Sequence, residues 1–383
     1  MPHKSLAAAA AAMLALVVTA PLVGATSASA AAGRYRLSLV GALDGSGGTC
    51  AYNTAEAVNT AGAVVGSGST ASSFGGHGYV LRSGQVVDLY GLGGPSAREE
   101  TSASGVNDLG DVVGRSQLRS LPDSPPHAVI WRRGGTPVDL GTGYAGTEAF
   151  SAAADVNSAG TVVGSRSVRQ SAPETAVSWV GGQVRGLPGL GGTAGLWGTT
   201  SAARAIGDDG LVVGEALPRT VGAGVHAVTW RNGVVKDLGM LVAGGEYSRA
   251  LGVNDLGVVV GESSDVRGVS GFRWVSGTMQ RLPSLAPGID WPYATAEDVN
   301  DSGVAVGTSG LGPDADYVER YAATLWSGGA PKNLNSMVVN PIAGLTLSFG
   351  RGISDKGVVV GTAEYTAGTC KGQQRGFVLT PTT

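Results

Sequence analysis

Charge is scarce in this chain. Asp, Glu, Lys and Arg together make up 14% of its 383 residues, and the formal net charge is −3. Nucleic-acid binding needs a concentrated basic patch, so nucleic acid is not an expected partner. Histidine is nearly absent, with four in all. His3 lies in the first thirty residues. His77, His127 and His226 recur at one equivalent place in an internal repeat, so the expectation is that each bonds a backbone group within its own repeat rather than converging on a metal. No serine-nucleophile motif occurs, and no helix is expected to carry a zinc-binding histidine pair. The glycine-rich turns do not lead into helices, which removes the phosphate-cradling reading. Runs such as Asp208-Asp209-Gly210 faintly resemble calcium loops but lack oxygen ligands at alternating positions. No metal and no cofactor are expected.

Long apolar runs are also missing after the N-terminus. Residues 6–18 form an Ala- and Leu-rich run behind Lys4, and Ala28-Ser29-Ala30 has the small residues of a cleavage site. The run is short for a membrane span. Residues 1–30 are therefore expected to be a secretory signal peptide. Residues 31–383 are then one exported domain, released from the membrane and monomeric. Its length allows two domains, but a repeat runs from end to end with no linker.

What the sequence does contain is that repeat. VNTAGAVVG at 58–66 returns as VNDLGDVVG (106–114), VNSAGTVVG (156–164), IGDDGLVVG (206–214), VNDLGVVVG (253–261), VNDSGVAVG (299–307) and ISDKGVVVG (353–361). The spacing, about 46 to about 54 residues, is that of four-stranded propeller blades. Each copy is an apolar strand, a turn tetrapeptide and a second apolar strand closed by Gly. The Asn can bond its own backbone two residues on, and the turn Gly can take positive φ, giving a type I turn with a Gly bulge. A second hairpin follows in each copy, as in HAVIWRRGGTPVDL (127–140) and HAVTWRNGVVKDL (226–238). Two hairpins make four strands. The predicted fold is an all-β, seven-bladed β-propeller of four-stranded antiparallel blades.

The seventh copy ends after its third strand, at RGFVLT (375–380), while RYRLSLVG (34–41) resembles a fourth strand. The N-terminal strand is therefore expected to complete the last blade and close the ring without a free sheet edge. Cys50 and Cys370, the only cysteines, then fall on neighbouring blades and on one face. An exported location permits a disulfide between them. Small residues recur four positions before the turn Asn (Ala55, Ala103, Ala153, Ala203, Ala250, Ala296, Gly350). Large ones recur on strand three (Trp131, Trp179, Trp230, Trp274, Trp326, with Leu81 and Leu379). Small inside and large outside is the taper of a blade.

Tight turns fall on one face and long, dissimilar loops on the other, where such a scaffold carries function. Two groups of candidates follow. Glu56, Arg204, Glu297 and Arg351 share an equivalent site three residues before the turn Asn. If that site faces the axis, opposite charges meet there, either pairing with one another or offering a polar ligand site. Tyr144, Phe150, Trp197, Tyr247, Trp291, Tyr293 and Phe349 are assigned to the long loops. Of these, Trp197, Tyr247, Trp291 and Tyr293 are the ligand-binding candidates, able to stack on sugars or anchor a partner unless they fold inward over the blade tops. The turn aspartates Asp108, Asp208, Asp209, Asp255, Asp301 and Asp355 are expected to stabilise their own turns.

With VNDxGxVVG followed by His127-Ala128-Val129 or His226-Ala227-Val228 and an Asp-Leu-Gly exit, the chain resembles the HAF-repeat extracellular proteins of bacteria. The resemblance covers nearly all of residues 34–380. It implies export and a propeller-like fold, and no established reaction. The leading functional expectation is a non-enzymatic binding or scaffold protein for an extracellular protein or glycan. The alternative is an extracellular hydrolase or lyase acting on polysaccharide. That needs two carboxylates about 5–10 Å apart, with Glu56 and Glu297, or Glu148, Glu246 and Asp290, as candidates.

Overall fold

A computed structural model describes residues 34–43, 50–69, 76–95, 99–117, 125–145, 147–169, 172–192, 200–220, 222–289, 291–313, 319–328 and 330–382. The expected signal peptide, Trp197 and Asp290 lie outside them. The strands form seven antiparallel four-stranded sheets. In the first blade the strands run Asn53–Val58, Val64–Ser69, Gly76–Arg82 and Gln85–Leu89, from the axis outward. The innermost strands of the next five blades are Thr101–Val106, Phe150–Val156, Ser201–Ile206, Tyr247–Val253 and Ala294–Val299. The seventh blade is Leu345–Ile353, Val359–Tyr365 and Gln374–Pro381, completed by Tyr35–Leu39. The fold is the seven-bladed propeller read from the repeat. Two short 3-10 turns, Arg132–Gly134 and Leu334–Met337, are the only helical elements among the described residues.

Each repeat closes on Gly for a steric reason. A Cβ on Gly66, Gly114, Gly164, Gly214, Gly261, Gly307 or Gly361 would collide with a carbonyl oxygen of the innermost strand, that of Thr54 or Ser102 in the first two blades. This close approach accompanies a β-bulge at the same place in every blade, with the register slipping between Ala55 and Ala57, Ala103 and Gly105, and so on round the ring to Gly350 and Gly352. A bulge leaves one residue unpaired and turns its side chain out of the ladder. The residues so released are Glu56, Ser104, Ala154, Arg204, Leu251, Glu297 and Arg351.

The turns behave partly as expected. Gly62 has φ +85° and its N–H donates to Asn59 O, 2.9 Å away. The Asn side chain, however, reaches four residues on: Asn59 Oδ1 accepts from Ala63 N–H at 2.8 Å, and Asn107 and Asn157 repeat this with Asp111 and Thr161. Only Asn254 also accepts from two residues on, from Leu256 N–H. The Asn Nδ2 faces the next blade and donates to its turn carbonyl, from Asn59 to Asn107, Asn107 to Asn157, Asn157 to Gly207, Asn254 to Asn300 and Asn300 to Ser354. The aspartates act the same way. Asp108, Asp208, Asp255, Asp301 and Asp355 accept from backbone N–H groups of Thr60, Ser158, Asp208, Asp255 and Asp301 on the preceding blade. They join blades rather than turns. Asp209 alone serves its own turn, accepting from Leu211 N–H.

The taper is realised. Ala55, Ala103, Ala203, Ala250 and Ala296 are buried at the inner strands. Trp131, Trp179, Trp230 and Trp326 are buried farther out. Each donates its indole N–H to a carbonyl of the preceding blade, at Tyr90, Gly141, Pro188 and Pro283. In the other three blades the large ring sits two positions earlier, as Tyr79, Phe272 and Phe377, all buried. There the Trp position is Leu81, Leu379 or the half-exposed Trp274.

The ring closes as predicted. Tyr35–Leu39 pairs with Phe377–Pro381, and Cys50 and Cys370 are bonded, with Cα atoms 5.1 Å apart. Arg375 adds hydrogen bonds to Val40 O and Ala51 O. A cross-link over 320 residues is worth on the order of 3–5 kcal/mol. Closure does not remove every edge, contrary to expectation, because each blade keeps an outer strand. Those strands are short and carry Pro137, Pro331, Arg185, Lys236 or Lys332, which discourages pairing between molecules. Among the described residues the N-terminal strand alone is covered: Asn340 hydrogen-bonds both N–H and C=O of Leu37, and Val339 N–H donates to Tyr35 O.

Replacing Gly114 by Ala is expected to lower stability by about 2–3 kcal/mol, since backbone must move. Gly288→Ala, at a position with open space around it, should be close to neutral. Guanidinium unfolding midpoints compare the two, and equal midpoints would refute the steric account.

Candidate functional site

The seven bulges turn their unpaired side chains toward the axis. A cavity of about 360 Å³ is lined there by Glu56, Ser67, Ser102, Ser104, Glu297 and Arg351, among others. Three of the four channel charges picked out from the sequence therefore come together. Arg351 lies between two carboxylates, with Nη1 3.3 Å from Glu297 Oε1 and Nε 3.9 Å from Glu56 Oε2. Neighbouring blades supply the three groups. Arg204, the fourth, turns instead to Glu215 on the second strand of its own blade, at 2.5 Å. Glu215 is 2% exposed, so this is a pairing in low dielectric, where removing one partner strands the other charge.

The sequence reading missed the second ring. Glu215 and Glu262 lie on second strands, in register with Ala202 and Arg249 of the inner strands. Glu262 is paired with Arg249 at 3.2 Å. The signal was available: both follow the Gly that closes their repeat, where other copies have Ser67, Arg115, Ser165, Thr308 or Thr362. Arg115, in register with Ser102, is exposed and makes no ion pair among the described residues. Burial pushes Glu297 and Glu262 above the usual carboxylate range, with Arg351 and Arg249 respectively acting against it.

The aromatic candidates separate. Phe150, Tyr247 and Phe349 lie on innermost strands, not in loops, and Tyr293 sits just before one. Tyr247 is half-buried beneath the Arg249 guanidinium, 4.7 Å from ring centre, and Tyr144 lies under Arg166 at 4.2 Å. Tyr293 packs edge-on against Tyr321 at 5.4 Å, and Tyr321 against Phe349 at 5.7 Å. Arg351 stands over Phe349. Burial, and then the charges of Glu262 and Glu297, push the Tyr293 hydroxyl up to about 12. This trio adjoins the charged cavity, and its Tyr321 comes from the third strand of the sixth blade, where no repeat pattern marks it. Trp291 remains on the surface, 69% exposed.

The carboxylates named for hydrolysis are not arranged as a free pair. Glu56 and Glu297 share Arg351, Glu148 and Glu246 are exposed, and Glu246 accepts from Ser264 Oγ. The histidines bond side chains rather than backbone, contrary to expectation. His77, His127 and His226 each place Nδ1 about 3 Å from a carboxylate on the outer strand of the same blade, Asp88, Asp139 or Asp237. These three pairs sit on separate blades, and each acts as a strand-to-strand clasp.

At the tight-turn end a second cavity of about 200 Å³ is lined by all seven turns and by Asp155 and Asp298. These two carboxylates are enclosed by protein apart from their contact with that cavity. Each accepts from its own blade and the next: Asp155 from Val156 and Ile206 N–H, Asp298 from Val299 and Ile353 N–H. Burial pushes Asp155 up to about 7 and Asp298 up to about 6, against those hydrogen bonds. Nearby Asp208 and Asp298 add to the rise at Asp155, as do Asp355 and Glu297 at Asp298. A carboxyl raised on folding binds its proton more tightly in the native state. Its contribution to stability is full below about pH 4 and is lost as pH rises through the folded value. Melting temperature measured from about pH 4 to about pH 8 should fall less steeply in an Asp155→Asn, Asp298→Asn double variant than in the parent. Identical slopes would refute the assignment.

No protein-family model matches the chain, and no curated protein does. Solved structures similar to it are propellers. The β-propeller domain of the Trilobed protease from Pyrococcus furiosus is 10% identical, with TM-score 0.49, over 86% of this chain and 93% of that one. Pyrococcus horikoshii acylaminoacyl peptidase is 12% identical, with TM-score 0.46, over 87% of this chain and 52% of that one. TolB from Acinetobacter baumannii is 11% identical, with TM-score 0.41, over 86% of this chain and 64% of that one. The chain thus spans less than two thirds of the length of the last two, and at these identities the likeness is one of fold.

Proposed function

We propose that the protein is an exported, non-enzymatic binding propeller of the HAF-repeat kind, which takes an extracellular protein or glycan at the long-loop end of its axis. One observation carries the reading: the axial carboxylates are held by arginines. Glu56 and Glu297 share Arg351, Glu215 holds Arg204, and Glu262 holds Arg249. The shared guanidinium fills the gap in which a glycosidic oxygen or attacking water would sit in a two-carboxylate hydrolase. What the lining offers is a fixed pattern of charge beside a half-buried aromatic wall, which suits recognition. Export is supported by the disulfide at the seam, which an oxidising compartment preserves.

The exposed Trp291 is the natural anchor on the rim. The mature protein should select hits from an array of glycans and cell-wall fractions. The Trp197→Ala, Trp291→Ala double variant should bind them about tenfold more weakly, the usual effect of losing an aromatic hot spot. If the double variant held every hit as tightly as the parent, the rim would not be the binding surface. Release of reducing sugar from any bound polysaccharide would put the hydrolase reading ahead of the binding one.

A further inference from the structure

We infer that the gap between the fifth and sixth blades binds a small oxyanion on Arg273, at the tight-turn end and away from both the axis and the rim. One residue breaks the repeat here. On the third strand of each blade, the residue in register with the one before the closing Gly is Val80, Ile130, Ser178, Thr229, Arg273, Leu325 or Val378. Only Arg273 of the seven carries charge. Val80, Ile130, Ser178, Thr229 and Leu325 are buried, whereas Arg273 is half-buried and borders a cavity of about 430 Å³. Leu282, Ala305 and Trp326, all buried, form the apolar side of that cavity, and Gln280 and Ser302 add an amide and a hydroxyl. Gln280 lies directly across the ladder from Arg273, on the same face of the sheet. No carboxylate lines the cavity among the described residues.

Two other gaps show what a guanidinium at this place ordinarily meets. A Cβ on the turn glycine Gly110, Gly160 or Gly303 would lie 3.1, 3.4 or 3.9 Å from a guanidinium nitrogen of the preceding blade, on Arg82, Arg132 or Arg273. Arg82 donates to Gly110 O and Arg133 O, and Arg132 pairs with Asp111 at 2.6 Å. Arg273 enters from two residues deeper in its strand, because Val275 holds the place of Arg82. It makes no hydrogen bond or ion pair among the described residues. Arg281, the other cation on the lining, is held by Ser270 and by Asp265 at 3.7 Å. Asp301, beside Ser302 in the sequence, faces the axis, where it lines the turn-end cavity and accepts from Asp255 N–H. One positive charge therefore stands in the gap with no acceptor from the fold. A guanidinium keeps its charge and presents a planar fork that matches a carboxylate or a phosphate with two parallel hydrogen bonds. The Gln280 amide and the Ser302 hydroxyl, which make no hydrogen bond among the described residues, supply further donors to the same oxyanion. A cavity of this volume with an apolar side accommodates an acid about the size of one ring.

The arginine Nε–H signals of the nitrogen-labelled mature chain, followed by NMR at low salt and about pH 7, where carboxylate probes are ionised, test this. Glucuronate, benzoate and inorganic phosphate are the anionic probes, and glucose is the neutral one. The Arg273 signal should shift with an anion and stay in place with glucose. Which anion moves it most separates a sugar acid, an aromatic acid and a phosphoryl group as the source. Arg273→Lys, which keeps the charge without the fork, should weaken binding by about tenfold, and Arg273→Gln should abolish it. In anion-free buffer Arg273→Gln should melt at the parent's temperature, since no acceptor is lost. The Trp197→Ala, Trp291→Ala double variant should bind the anion as the parent does. An Arg273 signal indifferent to all three anions would overturn the inference. So would an Arg273→Gln protein that binds them unchanged, or that melts below the parent in their absence. None of these results touches the rim reading, whose array hits depend on the long-loop end.

Discussion

The structure turns on a backbone contact that only glycine allows. In every blade the second strand passes so close to the innermost one that a Cβ would meet a carbonyl oxygen. The innermost strand takes up the mismatch as a bulge one residue later. From this follow both the ring of side chains released toward the axis and the narrow inner edge that lets seven blades meet. Other copies of the repeat tolerate Thr, Ala, Asp or Lys in the turn. The closing Gly does not vary within the chain because it meets backbone, which cannot rotate away.

Cohesion between blades comes from two layers of different chemistry. Near the axis it is polar and repetitive: Asn Nδ2 to the next turn carbonyl, and Asp Oδ1 from the preceding turn N–H. Farther out it is apolar, with a tryptophan filling the widening gap and using its one donor on the preceding blade. Each layer lapses where the sequence departs from the repeat. Gly207 has no side chain to continue the Asn chain toward the fifth blade, and Ser354 is too short to do so toward the first. At the second of these gaps the N-terminal strand, the disulfide and Arg375 join the first and seventh blades instead.

The same repetition explains why charge at the axis is meaningful. The bulge position is not tied to one side-chain chemistry, and Ser104, Ala154 and Leu251 are the uncharged choices. Four blades carry charge at this position. Three of those charges fall on consecutive blades around the seam and meet, leaving two carboxylates against one arginine. The fourth, Arg204, is neutralised inside its own blade. These three charges thereby lie together on one side of a nearly symmetric scaffold, beside the aromatic trio.

The repeat and its period were enough to determine blade number, strand order, closure by the N-terminal strand and the cysteine pair, because all four depend on local turn chemistry and on counting. Glu56, Glu297 and Arg351 were visible as an equivalent set for the same reason. Their convergence was decided only in three dimensions, since it depends on a bulge that strand periodicity does not display. So too were the turn of Arg204 toward Glu215, the joining of blades by Asp108 and its equivalents, and the His–Asp clasps. In each, the partner lies on a different strand or blade, at a separation set by the ring and not by the chain. Tyr321 has no counterpart in the repeat at all; it was brought to Tyr293 and Phe349 by the packing of the sixth blade against the seventh.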